Sequence, residues 1–190
     1  MSQPEPSIYR LKIRLLQIEP PIWRRLEVSG GVDLEQLGSI IQTAMGWSGE
    51  HLGAFSIGGI EFTDPETVAE LREDEIEAEV AEDFRLDAVL GRAGQRFQYD
   101  YDFADEWEHR IEIEAIEPAE PGQRYPRCLA GERACPPEDI GGPEGYEAFL
   151  EAWRDPGQPD HRDARAYVAA DYDPDRFDLA AAVQALAALG

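Results

Sequence analysis

The alternation of apolar and polar side chains is sharpest between Phe97 and Ile113. Phe97, Tyr99, Tyr101 and Phe103 share one face of an extended chain, with Gln98, Asp100 and Asp102 on the other. After the turn residues Ala104, Asp105 and Glu106 the pattern resumes, with Trp107, His109, Ile111 and Ile113 opposing Glu108, Arg110 and Glu112. A period of two in aromatic and β-branched residues predicts a central hairpin over residues 97–113.

The same period runs over residues 8–18. Tyr9, Leu11, Ile13 and Leu15 oppose Arg10, Lys12 and Arg14. Pro20 and Pro21 interrupt the ladder, since neither has an N–H to donate. A second strand follows over residues 22–28, with Trp23 and Arg25 on one face and Arg24, Leu26 and Val28 on the other. The period then changes. Asp33 and Gln36 form a capping box, and Leu34, Leu37, Ile40, Ile41, Ala44 and Met45 make a helical stripe that Gly46 ends. Short strands are predicted near residues 52–57 and 60–62. Residues 64–83 carry ten acids and one arginine, and read as a solvated, variable loop or a frayed helix within it. A short strand at residues 84–86 and a helical turn after Asp87 lead into the hairpin.

Beyond Glu117 the texture is rich in proline and glycine up to Pro143, which suits the first turn of a helix ending near Trp153. A weaker helix is predicted over residues 161–170, and a last one, capped by Asp178, over 179–189. These elements predict an α+β fold: a mainly antiparallel sheet, a β-grasp-like ββαββ start, the central hairpin 97–113 and C-terminal helices. One domain is expected over residues 1–190, with a sheet and helix core at 8–117, an ordered loop at 118–145 and a helical extension at 146–190. The run from Tyr125 to Tyr146 is expected to dock against the hairpin, because its prolines limit the entropy lost on ordering.

Charge changes this picture more than composition does. Forty acids face 17 lysines and arginines, for a net charge of −23, and Lys12 is the one lysine. Arginine in place of lysine fits a GC-rich genome, and the acid excess also fits a halophilic cytoplasm; both concern solubility rather than fold. Residues 1–28 hold a local +2 while the remainder carries −25. Duplex nucleic acid is disfavoured by most of such a surface. Met1 to Pro6 has neither a basic nor an apolar region, so no signal peptide is expected. No apolar run approaches the ~20 residues of a membrane span. Two cysteines, Cys128 and Cys135, do not make a disulfide framework. A cytoplasmic protein with a protein partner and no membrane contact is expected.

The candidate chemistry is concentrated in the hairpin. His109 with Asp102 and Asp105, joined by His51 if its strand is a neighbour, offers imidazole and carboxylate for a divalent metal or for acid–base work. The competing reading has Asp105 capping the turn and His109 packing beside Trp107. Arg10, Lys12, Arg14, Trp23 and Arg25 form a basic face with one aromatic, the shape of a single-strand nucleic-acid platform. Its competing reading is neutralisation by Asp100 and Asp102 across the strands. The spacing of Cys128 and Cys135 is wider than a zinc pair favours. No G-x-S-x-G, P-loop or dinucleotide fingerprint is present, and no cofactor is indicated.

Several runs carry a resemblance. They are PPIWRR at 20–25, the helix from Leu37 to Trp47 ending AMGW, YDYDF at 99–103 with Asp105, Trp107 and His109, and YPRCLAGERACPPED at 125–139 with Gly141, Gly142, Pro143, Gly145 and Tyr146. Together they resemble the plasmid pRiA4b ORF-3-like family over roughly residues 8–180. The resemblance implies an α+β fold and an association with mobile elements, without an assigned activity. Departures from the family pattern are Ala104 for a glycine, Gly53 for a histidine and Ile140 for a third cysteine; the last two remove potential metal ligands.

Three functions follow as expectations. The first is a non-enzymatic binding or interaction module, from the missing catalytic motif and the aromatic sheet. The alternative is a metal-dependent enzyme acting on nucleic acid or a small ligand, through His109, Asp102, Asp105 and His51. The third is a DNA-mobility accessory protein acting through the basic face.

Overall fold

The computed structural model describes residues 7–189; residues 1–6, where no signal peptide is expected, and Gly190 lie outside them. The chain builds an α+β fold around a sheet whose centre is the expected hairpin. Its arms are β6 (Arg96–Tyr101) and β7 (Trp107–Pro118), in the register Tyr99 opposite His109 and Tyr101 opposite Trp107. Strand β1 (Ser7–Leu15) pairs antiparallel with β7 on one edge and with β2 (Trp23–Ser29) on the other. On the far side of the hairpin, β3 (Gly53–Ile57) pairs with β6, and β4 (Ile60–Thr63) with β3.

Period two places the apolar sets together. Tyr9, Leu11, Ile13 and Leu15 join Leu26 and Val28, Phe97, Tyr99 and Tyr101, and Trp107, Ile111 and Ile113 in one core. Helix α1 (Leu34–Met45) lays its stripe on this face. Its capping box closes between Asp33 and Gln36, and Gly46 takes the left-handed conformation at φ 117°. Phe103 departs from the pattern. It stands beyond the end of β6 in the turn and is exposed.

The acidic stretch read as a solvated loop is ordered. Asp64 accepts the N–H groups of Glu66 and Thr67, and Pro65 opens helix α2 (Pro65–Glu73). Strand β5 (Ala78–Val80) then pairs parallel with β4. Capping chemistry and Val68, the helix's buried residue, hold α2, so hydrophobic periodicity did not reveal it. Residues 84–86 form no strand but an isolated bridge between Asp33 and Arg85, followed by α3 (Leu86–Val89).

The segment 118–145 holds one more strand, β8 (Arg127–Glu132), which pairs with β2 rather than with the hairpin. The order among the described residues is β5-β4-β3-β6-β7-β1-β2-β8. Helix α4 (Gly142–Arg154) places Tyr146 edge-on to Trp107, and α5 (His161–Tyr167) and α6 (Leu179–Ala187) complete the helical layer.

Arg24 points inward from β2 and is 1% exposed. Its guanidinium donates to the carbonyls of Ala44 and Met45 at the C-terminus of α1 and to those of Trp23 and Glu132, and lies 4.0 Å over Phe177. A cation is favourable at that end of a helix dipole. No helix among the described residues is long and apolar enough to cross a membrane.

Candidate metal centre

Asp102 follows the last residue of β6, where the chain leaves the sheet. Its N–H donates to the carbonyl of Leu52 at 2.9 Å, and its φ of 58° puts it in the left-handed region that Asp and Asn tolerate. Oδ1 accepts the N–H groups of Ala104 and Asp105 at 3.1 and 3.4 Å, which fixes the turn. Oδ2 is left facing His51, 3.6 Å from Nε2. The carboxylate is 5% exposed.

His51 stands two residues before β3. A side chain at Gly53 would place Cβ 2.4 Å from the Tyr99 hydroxyl oxygen, so this strand reaches its register only with glycine there. The His51 ring meets Tyr101 edge-on at 5.9 Å. Its Nε2 is inaccessible to solvent and makes no aligned hydrogen bond, although Asp139 Oδ1 lies 3.0 Å away.

Asp139 comes from the segment between β8 and α4, again with a left-handed φ of 53°. Several contacts hold this strap. Glu138 accepts the N–H and hydroxyl of Ser48 at 2.8 and 3.0 Å, and the Tyr101 hydroxyl at 3.1 Å. Burial, and then the Glu138 carboxylate, push the Tyr101 pKa above its ordinary value. The Tyr167 hydroxyl donates to the carbonyls of Glu138 and Asp139, and Gly141 N–H donates to Asp105 Oδ2 at 3.1 Å. Gly142 is required as well, since a Cβ there would lie 2.3 Å from the Asp105 carbonyl oxygen.

Among the described residues, His51, Asp102 and Asp139 form the one set of three His, Cys, Asp or Glu side chains whose ligand atoms all lie within 4.8 Å of one another. An ion bound at about 2.0–2.2 Å from each atom requires separations of roughly 3.0–3.6 Å. The two separations from His51 Nε2, 3.0 and 3.6 Å, fall in that range, and the two carboxylates lie within 4.8 Å of one another. One imidazole and two carboxylates suit a borderline first-row ion such as Mn2+ or Zn2+.

Of the residues singled out in the sequence, the structure brings His51 and Asp102 together and sets Asp105 beside them, engaged by the strap. His109 does not join. It is fully buried on the inner face of β7, where Nδ1 meets the Tyr99 carbonyl at 3.0 Å and the ring packs edge-on against Trp47 at 5.3 Å. Burial lowers its pKa from 6.5 to about 4, so it is a neutral core residue at physiological pH. Asp139 was overlooked. The available signal was the run PPED at 136–139, then Ile140 and two glycines, a rigid arm and a sharp turn that present a carboxylate.

The basic residues do share the outer face of the sheet, but each is engaged. Arg10 and Arg127 flank the buried Glu27, Arg10 also reaches Glu117, Arg14 pairs with Glu19 and Arg25 with Glu114. Lys12 and Arg25 sit over the Trp23 ring at 5.3 and 5.5 Å. The neutralising carboxylates are glutamates of β2, β7 and the loop between β1 and β2, not Asp100 or Asp102, because the hairpin's own turn claims Asp102. Cys128 and Cys135 are free, buried thiols whose pKa values burial raises. A larger cleft of about 620 Å³ lies between α1 and α6, lined by Arg24, Trp47, Cys135, Tyr172 and Phe177 among others. The donors of Arg24 there are spent on carbonyls.

The family model of the plasmid pRiA4b ORF-3-like protein matches residues 7–181. The chain belongs to the plasmid pRiA4b ORF-3-like family. A relative from Sinorhizobium fredii, the uncharacterized protein y4hQ, is 38% identical over 168 residues, covering 88% of this chain and 84% of the relative. The crystal structure of the protein of unknown function MM3350 from Methanosarcina mazei Go1 is similar with a TM-score of 0.81 and 29% identity, over 93% of this chain and 97% of that one. Both relatives span nearly the same length as this chain, so the site lies inside the shared fold.

Proposed function

We propose that this protein is a binding module organised around a divalent cation held by His51, Asp102 and Asp139. The observation that carries the reading is His51 Nε2, inaccessible to solvent and without an aligned hydrogen bond, set 3.6 Å from the buried Asp102 carboxylate and 3.0 Å from that of Asp139. A buried polar atom without a hydrogen bond is costly, and a cation satisfies the imidazole while drawing in both carboxylates. The cation would also tie the strap at Asp139 to the hairpin at Asp102, so ligation and order of the strap are linked.

Binding is favoured over metal-dependent hydrolysis by the state of the neighbouring acids. A hydrolase needs a free base beside the metal-bound water. Glu138 is held by Ser48 and Tyr101, and Asp105 by Gly141. Metal analysis of untagged protein, followed by calorimetric titration of Mn2+ and Zn2+ into chelator-treated chain, tests the proposal. One ion per chain is expected, with at least about 100-fold weaker binding in His51→Ala and in Asp102→Asn, since asparagine keeps the left-handed turn. Substoichiometric binding, or affinity unchanged in both variants, overturns it.

A further inference from the structure

We infer that the cavity between α1 and strands β3 and β4 binds a small amine whose apolar body ends in a hydroxyl or a carboxamide. His51 stands in its wall, but the inference does not rest on the cation reading. The cavity has a volume of about 230 Å³. That is above the ~150 Å³ of an engineered cavity that holds benzene and below the ~300 Å³ where drug-sized sites begin, so it suits one ring with a short arm.

The inner end is polar and incompletely used. Leu34 of α1, Phe55 of β3 and Phe62 of β4 are buried in the apolar wall. Gln42 and Tyr99 line the same cavity, and Tyr99 is 1% exposed. Gln42 Nε2 donates to the Tyr99 hydroxyl oxygen at 2.5 Å, and no acceptor takes the Tyr99 proton among the described residues. Burial pushes the Tyr99 pKa upward, so that proton stays in place. Gln42 Oε1 has no donor either. Turning the amide over exchanges the roles and leaves the same remainder, one unused donor and one unused acceptor on a single inner pair. A buried hydroxyl proton without an acceptor is costly, and a ligand hydroxyl or carboxamide gives and takes at once.

The mouth sets the charge. The acids that line the cavity are Glu35, Asp64 and Glu82, with no lysine or arginine beside them. Asp64 is spent on the N–H groups at the start of α2. Glu35 and Glu82 are exposed and make no ion pair among the described residues. The start of α1 also lies here, but its capping box of Asp33 and Gln36 already answers the N–H groups. Two unpaired carboxylates favour an ammonium over a carboxylate at the outer end of a ligand. Buried hydrogen-bonding pair, apolar wall and acidic mouth are parts of one cavity, and a ligand with the same parts in the same order fills it.

The experiment titrates three probes of similar size into the full chain by calorimetry. They are tyramine, phenethylamine, which lacks the hydroxyl, and 4-hydroxyphenylacetate, which carries a carboxylate in place of the amine. Tyramine is expected to bind at least about fivefold tighter than phenethylamine, the worth of one buried hydrogen-bonding group. It is expected to bind at least about tenfold tighter than 4-hydroxyphenylacetate. Tyr99→Phe should bring tyramine and phenethylamine within about twofold of each other. Glu35→Gln combined with Glu82→Gln should remove most of the preference over the carboxylate. Ser39→Leu, at an exposed helical position in the cavity wall, should weaken binding of both amines at least about tenfold, and it carries the test if Tyr99→Phe fails to fold. No binding of tyramine at millimolar concentration, no preference over either other probe, or preferences that survive these variants overturns the inference and leaves the cation reading standing.

Discussion

Two histidines stand on opposite sides of one aromatic stack. Trp47 and Tyr101 stack at 4.8 Å; His109 meets the edge of Trp47, and His51 meets Tyr101. Each has an Nε2 without a hydrogen bond. For His109 the neighbours are Trp47, Tyr99 and Trp107, so burial answers by suppressing the charge. For His51 the neighbours are two carboxylates, so the same lone pair stands where the proposed cation would meet it. Residue type is identical; what differs is whether the surroundings are closed by rings or by acids. A histidine near aromatic residues is therefore not informative until the other side of its ring is known.

The most severe way to break this partition is to open the stack's inner wall. Trp107 is fully buried, and Trp107→Ala is expected to cost about 3–5 kcal/mol by removing a large core side chain. Urea unfolding checks this, and a loss below about 1 kcal/mol would mean that the core closes without it.

The next effect belongs to pH. The folded pKa of His109, about 4, lies below the ordinary 6.5. Between those values the folded state binds fewer protons than the unfolded chain. Stability from this residue is complete above pH 6.5 and is lost as pH falls through 4, by about 3 kcal/mol. Urea midpoints at several pH values in this window should fall less steeply in His109→Gln than in the parent. Parallel profiles would show that another group carries the acid sensitivity.

Asp100, opposite Glu108 on the outer face of the same hairpin, has the reverse sign. Burial, then Glu108, Glu61 and Glu106, raise its pKa from 3.8 to about 6. The folded state is thus favoured at low pH, and that advantage is lost as pH rises through 6. Because the group is half exposed, solvent screening limits the effect: Asp100→Asn should gain no more than about 1 kcal/mol at pH 8 and nothing at pH 3.5. A gain that persists at pH 3.5 would trace to packing instead.

The smallest effect falls on the other histidine. In a chelating buffer His51→Ala should change stability by no more than about 0.5 kcal/mol, since the side chain is partly exposed and its Nε2 holds no hydrogen bond. A larger loss would assign His51 to the fold and weaken the contrast with His109.

The segment 64–83 shows how far local pattern carries. Asp64 before Pro65 is a helix start by capping chemistry, and it was legible. The helix buries Val68 and few other side chains, so no apolar stripe announced it. Strand β5 has three residues and is defined by its partner β4, a contact no window of sequence contains. Strand β8 likewise exists through β2, and its proline and glycine flanks read as loop.

The chain by itself determined which side chains face inward. Period two in β1, β6 and β7 set the two faces of the sheet, and the 3.6-residue stripe between Asp33 and Gly46 set the helix. Those are relations between residues two to four positions apart, which the backbone geometry of one element enforces. The tertiary structure alone decided that His109 is a core residue and that His51 is not. It also brought Asp139 to Asp102. Both outcomes depend on which strand lies beside β6 and on where the strap between β8 and α4 crosses the hairpin turn. Register and strand order are settled by the packing of the whole core, and no local pattern encodes them.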